Sequence, residues 1–206
     1  MYIAIEGIKG CGKSTILKNI FRDNKSRLVN VCHYPITAPM AANHHLEREL
    51  KLNKHYQNND DFIEKLFLTR AHRNQPKSVW PTVIGDRSLA TAIVTRWDKW
   101  QDPYYTISKV QKDYSLIIKP DVIVFIDTPI PSAETNISKR NARLTGMLDE
   151  KPGLLRKADD IYKELFQGGT YKKYFGKTQL IDVSYTINME EMCSEILSII
   201  KYYHYE

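Results

Sequence analysis

One segment near the amino terminus constrains the fold of this chain more than any other feature. It runs Gly7-Ile8-Lys9-Gly10-Cys11-Gly12-Lys13-Ser14 and fits the pattern G-x-x-x-x-G-K-[ST]. An apolar run from Tyr2 to Glu6 precedes it, and apolar residues recur at helical spacing from Lys13 onward. A glycine loop between a strand and a helix is the context in which this pattern binds phosphate groups.

The residue types of the loop explain the chemistry that it predicts. Glycines let successive backbone N–H groups point inward, and the helix N-terminus adds partial positive charge for phosphate oxygens. We expect Lys13 to reach the β- and γ-phosphates of a nucleoside triphosphate, and the Ser14 hydroxyl to bind Mg²⁺. The predicted nucleotide-binding loop comprises Gly7, Lys9, Gly10, Cys11, Gly12, Lys13, Ser14 and Thr15.

Strand and helix patterns alternate along the rest of the chain. Strands are predicted at residues 2–6, 27–32, 82–85, 121–126 and 179–183. Helices are predicted at residues 13–24, 40–52, 60–74, 90–97, 105–118, 131–143, 154–166 and 189–202. This alternation predicts an α/β fold with a five-stranded parallel sheet and crossover helices.

Composition narrows the class of protein. The 206 residues are 42% hydrophobic and 26% charged, which excludes a disordered or collagen-like chain and favours a single domain over residues 1–206. No run approaches the roughly 18 apolar residues of a membrane-spanning helix. Cys11, Cys32 and Cys193 lack the spacing of a metal site and predict a reducing, cytoplasmic setting. The net charge of +6 suits nucleic acid or a small anionic substrate equally well.

A second motif, Asp86-Arg87-Ser88, follows the predicted strand at residues 82–85. It therefore lies at the carboxyl edge of the sheet, where open α/β folds bind their ligands. A carboxylate there can hold water on Mg²⁺ or orient an attacking oxygen, and a guanidinium can bind a phosphate through two parallel hydrogen bonds. Asp86 and Arg87 are thus predicted catalytic residues, with Asp86 also a metal ligand.

A predicted lid lies later in the chain, at about residues 140–153. Arg140 and Arg143 are one helical turn apart and precede a stretch with two glycines and a proline. Cations on a closing lid can neutralise charge in a transition state, so both arginines are candidate catalytic residues. Taken alone, such a pair is more often a solvated helix face.

A series of motifs in one order resembles the thymidylate kinase family, a branch of the nucleoside monophosphate kinases. They occupy residues 3–15, 84–88, 119–127, 139–143 and 148–165. The resemblance implies a P-loop kinase fold, a three-layer α/β/α arrangement with a small helical lid. It also implies ATP- and Mg²⁺-dependent transfer of the γ-phosphoryl group to a deoxynucleoside monophosphate, typically dTMP, by a homodimer.

The same resemblance implies roles for single residues. Lys13 matches the lysine of the glycine loop, Asp86 the metal-organising acid, and Arg87 the arginine on the acceptor phosphate. Arg70 resembles an arginine that contacts the acceptor base, with Leu66 or Phe67 near an aromatic position that stacks on it. The acceptor-binding region spans about residues 34–75. The implied acceptor-binding residues are Tyr34, Pro35, Leu66, Phe67, Arg70, Arg87 and Thr91.

The departures from the family pattern fall on the acceptor side. Lys9 stands where the family commonly has an acid that holds the sugar 3′-hydroxyl, and an ammonium cannot accept that hydrogen bond. Lys9 can instead face the transferred phosphoryl group. Residues 33–37 keep a proline but lack the usual flanking residues, and Val94-Thr95-Arg96 replaces a segment with an aromatic. The identity of the acceptor is therefore open.

Two other functions fit parts of the sequence. A deoxynucleoside kinase also combines a glycine loop with a later acid, Arg and Ser, although residues 148–165 favour the thymidylate branch. The alternative from a different class is a nucleotide-dependent switch or a nucleic-acid-binding module. The lysines are scattered rather than arranged in a stripe. We therefore expect small-molecule partners, and no nucleic acid or membrane.

Overall fold

The structure is a computed structural model and describes residues 1–23, 28, 30–35, 40–41, 43–53, 55–56, 60–74, 82–96, 108, 112, 118–139, 152–169, 179–184 and 188–205. The strands are β1 (Tyr2–Glu6), β2 (Val31–Pro35), β3 (Thr82–Asp86), β4 (Val122–Asp127) and β5 (Gln179–Ser184). The helices in these segments are α1 (Lys13–Asp23), α2 (His45–Leu52), α3 (Asp60–Arg73), α4 (Leu89–Arg96), α5 (Ile130–Ser138), α6 (Pro152–Phe166) and α7 (Met189–Tyr205).

The five strands form one parallel sheet in the order β2-β3-β1-β4-β5. The central strand β1 is apolar on both faces, and Ile3, Ala4 and Ile5 are fully buried. A parallel sheet with both faces covered requires such continuous apolar strands rather than alternating ones. The predicted α/β fold with a five-stranded parallel sheet is confirmed.

The helices pack in two groups. Helix α1 packs against α7, whereas α4 packs against α3 and α6, and α5 packs against α6. The chain moves in one direction from β1 to β2 and then back across the sheet through β3, β4 and β5. Because crossovers between parallel strands are right-handed, this reversal places α1 and α4 on opposite faces. The carboxyl ends of β1 and β3 therefore border a crevice suited to a ligand.

An aromatic cluster joins α6 to the sheet. The ring of Phe125 on β4 lies 5.7 Å from the Tyr162 ring and 5.1 Å from the Phe166 ring, measured between centroids. All three side chains are buried. Buried aromatic pairs of this geometry contribute more than their area alone, so α6 is held firmly against β4.

Helix boundaries and one strand differ from the sequence-based expectation. Strand β2 begins at Val31 rather than residue 27, because Asn30 adopts a left-handed turn with φ of 65° just before it. Tyr34 and Pro35 consequently lie within the strand and not after it. Helix α2 begins at His45 rather than residue 40, because His44 Nδ1 accepts the Leu46 N–H and caps the helix there.

Three further predictions concern the helix after β4, the segment between α4 and β4, and the lid. Helix α5 ends at Ser138 rather than residue 143, and the Lys139 N–H bonds the Thr135 carbonyl at 3.2 Å. Most of the helix predicted at residues 105–118 and most of the lid lie outside the described residues. None of the described helices is long and apolar enough to span a membrane.

Helix α5 contacts the glycine loop directly. Asn136 Nδ2 donates to the Gly10 carbonyl at 2.8 Å. Gly10 has φ of 88°, and a Cβ at this position would collide with the Ala133 carbonyl oxygen. Only glycine combines this backbone conformation with so close an approach to a neighbouring helix, so α5 and the loop pack as one unit.

This packing predicts a large effect of a single methyl group. Gly10→Ala should lower the free energy of unfolding by roughly 1–3 kcal/mol, measured by urea denaturation, because the Cβ strains the backbone and displaces α5. Gly153→Ala is the matched control, since a Cβ there has no neighbour within 4 Å. Equal stability of the two variants would contradict the close contact between the loop and α5.

Candidate active site

The glycine loop folds around the ammonium group of Lys13. Lys13 Nζ donates to the carbonyl oxygens of Gly7 at 2.5 Å and Ile8 at 3.0 Å, and to Cys11 Sγ at 3.1 Å. Lys13 begins α1 and is buried, with 5% of its surface exposed. The structure therefore folds Gly7, Ile8 and Cys11 of the glycine loop around one cation.

The surroundings of the Lys13 ammonium group do not fully balance its positive charge. Burial lowers the pKa of Lys13, and the nearby Arg87 guanidinium lowers it further, while Cys11 and Asp86 act in the opposite direction. The two carbonyls that accept from the ammonium are neutral. A polyphosphate bound in the loop would supply the missing negative charge, and the N-terminus of α1 favours an anion in the same place.

The ends of β1 and β3 meet at this loop. Ile5 pairs with Asp86 in the parallel register, so the residues that follow each strand emerge side by side. The Ser14 hydroxyl, in the first turn of α1, donates to Asp86 Oδ2 at 3.1 Å. A hydroxyl and a carboxylate from distant parts of the sequence thus meet at the carboxyl edge of the sheet.

This pair of oxygen ligands fits Mg²⁺. Magnesium prefers hard oxygen ligands and usually combines one or two protein groups with water and substrate phosphates. Ser14 is exposed and Asp86 half-buried, so both groups are accessible. Within the described segments no cluster of three or more Asp, Glu, His or Cys side chains forms another candidate metal site. Ser14 and Asp86 would therefore hold the ion together with nucleotide oxygens.

Arg87 follows Asp86 in a strained turn. Its φ of 80° lies in the left-handed region, which a non-glycine residue adopts at a cost of about 1–2 kcal/mol. The turn is tied to β1, because the Arg87 N–H donates to the Ile5 carbonyl at 3.1 Å and the Tyr2 hydroxyl donates to the Arg87 carbonyl at 3.2 Å. Arg87 Nη1 donates to Thr91 Oγ1 at 3.3 Å. The half-buried guanidinium is thus directed beside Asp86 and Lys13.

Glu6 is a residue of this site that sequence reasoning missed. Its carboxylate is fully buried and accepts from Ser88 Oγ at 2.6 Å, Thr91 Oγ1 at 2.8 Å, the Thr91 N–H at 3.3 Å and Tyr162 OH at 2.9 Å. The sequence identified Glu6 only as the end of a strand. The sequence signal for Glu6 is its position, because it is an acidic residue that ends an apolar strand directly before Gly7.

An ion-pair cluster lies at the end of the neighbouring strand β4. Lys163 Nζ on α6 is 2.9 Å from Asp159 Oδ2 and 3.4 Å from Asp127 Oδ1. Burial raises the pKa of Asp159, while Lys163 acts against that change. The cluster links α6 to the carboxyl end of β4, the strand that precedes α5.

The comparisons with known proteins bear on this geometry. The sequence model of the deoxynucleoside kinase family matches residues 3–151 of the chain, which include the glycine loop, Asp86 and Arg87. The chain belongs to the deoxynucleoside kinase family. The match favours a nucleoside kinase over the thymidylate kinase that the motif order suggested. A comparison with curated proteins gives no match.

Solved structures share the fold of this kinase. Three structures of deoxyadenosine kinase from M. mycoides are each 18% identical to the chain and cover 98% of it. The structure with products dCMP and a flexible dCDP bound has a TM-score of 0.63, with 98% of that chain covered. Those with dCTP and dATP have TM-scores of 0.62 and 0.61, with 99% and 100% covered. This likeness extends over 98% of the chain and concerns the fold.

The residues predicted to bind the acceptor do not all lie at one place, unlike the residues of the glycine loop. Arg70 forms a bidentate pair with Glu47, with Nε–Oε1 at 2.6 Å and Nη2–Oε2 at 2.8 Å. Both side chains are buried, and the Met40 N–H also donates to Glu47 Oε1 at 2.8 Å. The arginine predicted to contact the base is therefore engaged in an ion pair between α2 and α3.

The other predicted residues on this side occupy the sheet and the core. Leu66 is fully buried in α3. Tyr34 packs against the Tyr2, Ala4 and Val83 cluster, and Pro35 lies opposite Asp86 in the register of β2 and β3. Arg140, Arg143 and the side chain of Phe67 lie outside the described residues. Of the acceptor set, the structure thus places Arg87 near Lys13 of the phosphate loop and Thr91 in contact with Arg87.

The buried Arg70–Glu47 pair predicts an unusually large loss of stability. Arg70→Met should lower the free energy of unfolding by about 3–5 kcal/mol, because it leaves the Glu47 carboxylate buried without its cation. Arg22→Met is the control: Arg22 pairs with Asp23 at 2.6 Å, but both side chains are more than half exposed. Chemical denaturation of both variants measures the difference, and a loss for Arg70→Met no larger than for the control would exclude the buried pair.

The same pair predicts the pH dependence of that stability. Burial alone would raise the pKa of Glu47, but hydrogen bonds from Arg70 and the Met40 N–H outweigh it and hold the pKa below its ordinary value. Because the folded-state pKa is depressed, the contribution of Glu47 is complete above the unfolded-state pKa. It is lost as the pH falls through the folded-state pKa, which lies below the ordinary pKa of a glutamate. The gap between wild type and Arg70→Met should therefore shrink in acid.

Proposed function

We propose that this protein transfers the γ-phosphoryl group of ATP to the 5′-hydroxyl of a deoxynucleoside. One observation carries the proposal: the buried Lys13 ammonium, the Ser14–Asp86 pair and the Arg87 guanidinium converge at one edge of the sheet. Phosphoryl transfer needs a phosphate cradle, a metal site and a further cation in this arrangement. The family match over residues 3–151 supports a nucleoside as the acceptor.

Each group has a distinct role in the proposed reaction. The loop N–H groups and Lys13 bind the β- and γ-phosphates, and Ser14 and Asp86 orient the ligands of Mg²⁺. When bound, Mg²⁺ neutralises charge that develops on the leaving phosphate. The oxygen of the acceptor hydroxyl attacks the γ-phosphorus and its proton passes to water, while the bond from the γ-phosphorus to the β-phosphate oxygen breaks and ADP leaves. Arg87 stabilises negative charge on the transferred group, or binds the acceptor phosphate if the acceptor is a monophosphate.

The acceptor base can be proposed from two lines of argument. The deoxyadenosine kinase structures contain cytosine and adenine nucleotides, so deoxyadenosine and deoxycytidine are the acceptors that we propose first. Lys9 and the segment Val94-Thr95-Arg96 depart from the thymidylate kinase pattern. A dTMP kinase remains the second candidate because residues 139–143 and 148–165 resemble that branch. Mg²⁺ dependence and a homodimer also belong to the proposal.

A coupled assay of ADP release separates these candidates. The purified chain is incubated with ATP and Mg²⁺ and with deoxyadenosine, deoxycytidine, deoxyguanosine, thymidine, dTMP or no acceptor. Turnover with one or more deoxynucleosides supports the proposal, and turnover with dTMP alone supports the second candidate. ADP release that is the same without any acceptor contradicts both and favours a nucleotide-dependent switch. Sedimentation of the same sample tests the homodimer.

Substitutions in the loop and at β3 test the assigned roles. Lys13→Ala and Asp86→Asn should each lower kcat by at least about 100-fold, because each removes a preorganised charge from the reacting phosphates. Lys18→Ala is the matched control, since Lys18 lies exposed on the same helix. Melting temperatures verify that all three variants fold. Activity within a few-fold of wild type in Lys13→Ala would refute the role of the loop.

A further inference from the structure

The hydrogen-bond donors of the Lys13 ammonium group all point to groups of the glycine loop itself. A protonated lysine side chain has three donors and no acceptor. Among the described residues, the groups that accept from Nζ are the Gly7 and Ile8 carbonyl oxygens and the Cys11 sulfur. A phosphate oxygen can therefore bond to this ammonium only if it replaces one of these partners or shares a donor with it.

The Cys11 sulfur is the weakest of the three acceptors. Its distance from Lys13 Nζ is 3.1 Å, and a thiol sulfur accepts hydrogen bonds poorly, whereas a peptide carbonyl is a strong acceptor. A phosphate oxygen carries negative charge, and hydrogen bonds between charged partners are stronger than those to neutral groups. Of the three bonds, the one to Cys11 is therefore the easiest for a phosphate to replace.

We propose that Cys11 competes with the phosphate groups of the nucleotide for the Lys13 ammonium and thereby limits the affinity of the loop for the nucleotide. The inference rests on the proposed function in one respect, because it takes a nucleoside triphosphate as the ligand of the loop. It assigns to Cys11 a role that is separate from the shape of the loop: this side chain sets how tightly the nucleotide binds.

Packing fixes the position of the sulfur. Cys11 is fully buried, and its N–H donates to the Ile8 carbonyl at 3.3 Å. Gly7 has φ of 146°, and a Cβ at that position would lie 2.9 Å from Cys11 Sγ. The absence of a side chain at Gly7 thus leaves the space that the sulfur fills. Because the ammonium is carried on a flexible four-carbon stem, Lys13 is the residue that moves when the sulfur is exchanged for phosphate.

The electrostatic effect of Cys11 on Lys13 agrees with a direct contact. Burial lowers the pKa of Lys13, and Cys11 is the strongest of the groups that raise it. Without the sulfur, one donor of a buried ammonium would lose its partner, and an unsatisfied buried donor is costly. A bound phosphate would satisfy that donor. Removal of the sulfur should therefore destabilise the protein without nucleotide more than the complex, and this difference appears as tighter binding.

Two substitutions at Cys11 test the competition. Cys11→Ala removes the competing acceptor, and Cys11→Ser keeps one. Titration calorimetry with ATP and Mg²⁺, and separately with tripolyphosphate, measures Kd. Cys11→Ala should bind both ligands about 3- to 10-fold more tightly than wild type, as expected for the loss of one hydrogen bond in the unbound protein. Cys11→Ser should bind no more tightly than wild type. Cys32→Ala, at a half-buried cysteine on β2, is the matched control and should leave Kd unchanged.

The outcomes that contradict the inference are equally specific. Unchanged or weaker binding by Cys11→Ala would overturn it. Equal tightening in Cys11→Ala and Cys11→Ser would also overturn it, since the size of the side chain and not the acceptor would then be the cause. Melting temperatures supply an independent check: Cys11→Ala should lower that of the protein without nucleotide by more than that of the protein saturated with ATP.

A measurement on the wild-type chain follows the exchange itself. In protein with ¹³Cβ-labelled cysteine, the Cys11 signal is assigned by its loss in Cys11→Ala. Tripolyphosphate should shift this signal toward its position in Lys13→Met, because methionine has no donor for the sulfur. If the Cys11 signal of the unliganded wild type already coincides with that of Lys13→Met, or does not move when tripolyphosphate binds, the inference is wrong.

These experiments distinguish the inference from the proposed function. Tighter binding by Cys11→Ala in a chain that phosphorylates no acceptor supports the inference and rejects the proposed transfer reaction. Turnover of a deoxynucleoside together with an unchanged Kd in Cys11→Ala rejects the inference alone. A wild-type chain that binds neither ATP nor tripolyphosphate rejects both.

Discussion

The site depends above all on the parallel pairing of β1 and β3. Because Ile5 lies opposite Asp86, β1 and β3 end at the same edge of the sheet. Glu6 and the glycine loop therefore lie at the edge where Asp86 and Arg87 also lie. In an antiparallel pair these residues would emerge at opposite edges of the sheet. Residues separated by 72 positions, such as Ser14 and Asp86, then meet at this edge of the sheet.

The fold was largely predictable because its signals are local. An apolar run of β-branched residues marks β1, and the glycine loop marks the start of α1, so both elements begin where the sequence indicates. Strand β2 begins later than predicted because the left-handed Asn30 sets its start. Asparagine is enriched in that conformation, but the residue type alone does not indicate which asparagine adopts it. Helix α2 begins late because the capping group is a histidine, which is not among the preferred capping residues.

The residues of the site were predictable only where they belong to a contiguous sequence motif. The loop residues and Asp86-Arg87 follow recognisable strands, and the structure brings them together. Glu6 and Tyr162 are 156 positions apart, and nothing in either local sequence indicates that the Tyr162 hydroxyl donates a hydrogen bond to Glu6. Arg70 illustrates the opposite case: its position suggested a ligand, whereas Glu47, a residue on another helix, is its partner. Long-range pairing of buried polar groups is a property of the packed chain and not of spacing.

The strained turn at Arg87 lowers the stability of the backbone but keeps a charged side chain at the candidate active site. Glycine would accept the φ of 80° without steric conflict, and the rest of the turn is secured by main-chain bonds that any residue could form. Substituting glycine would therefore relieve the main chain while removing the cation. The strain of the backbone at this position therefore accompanies a charged side chain, where glycine would fit the conformation better but would supply no charge.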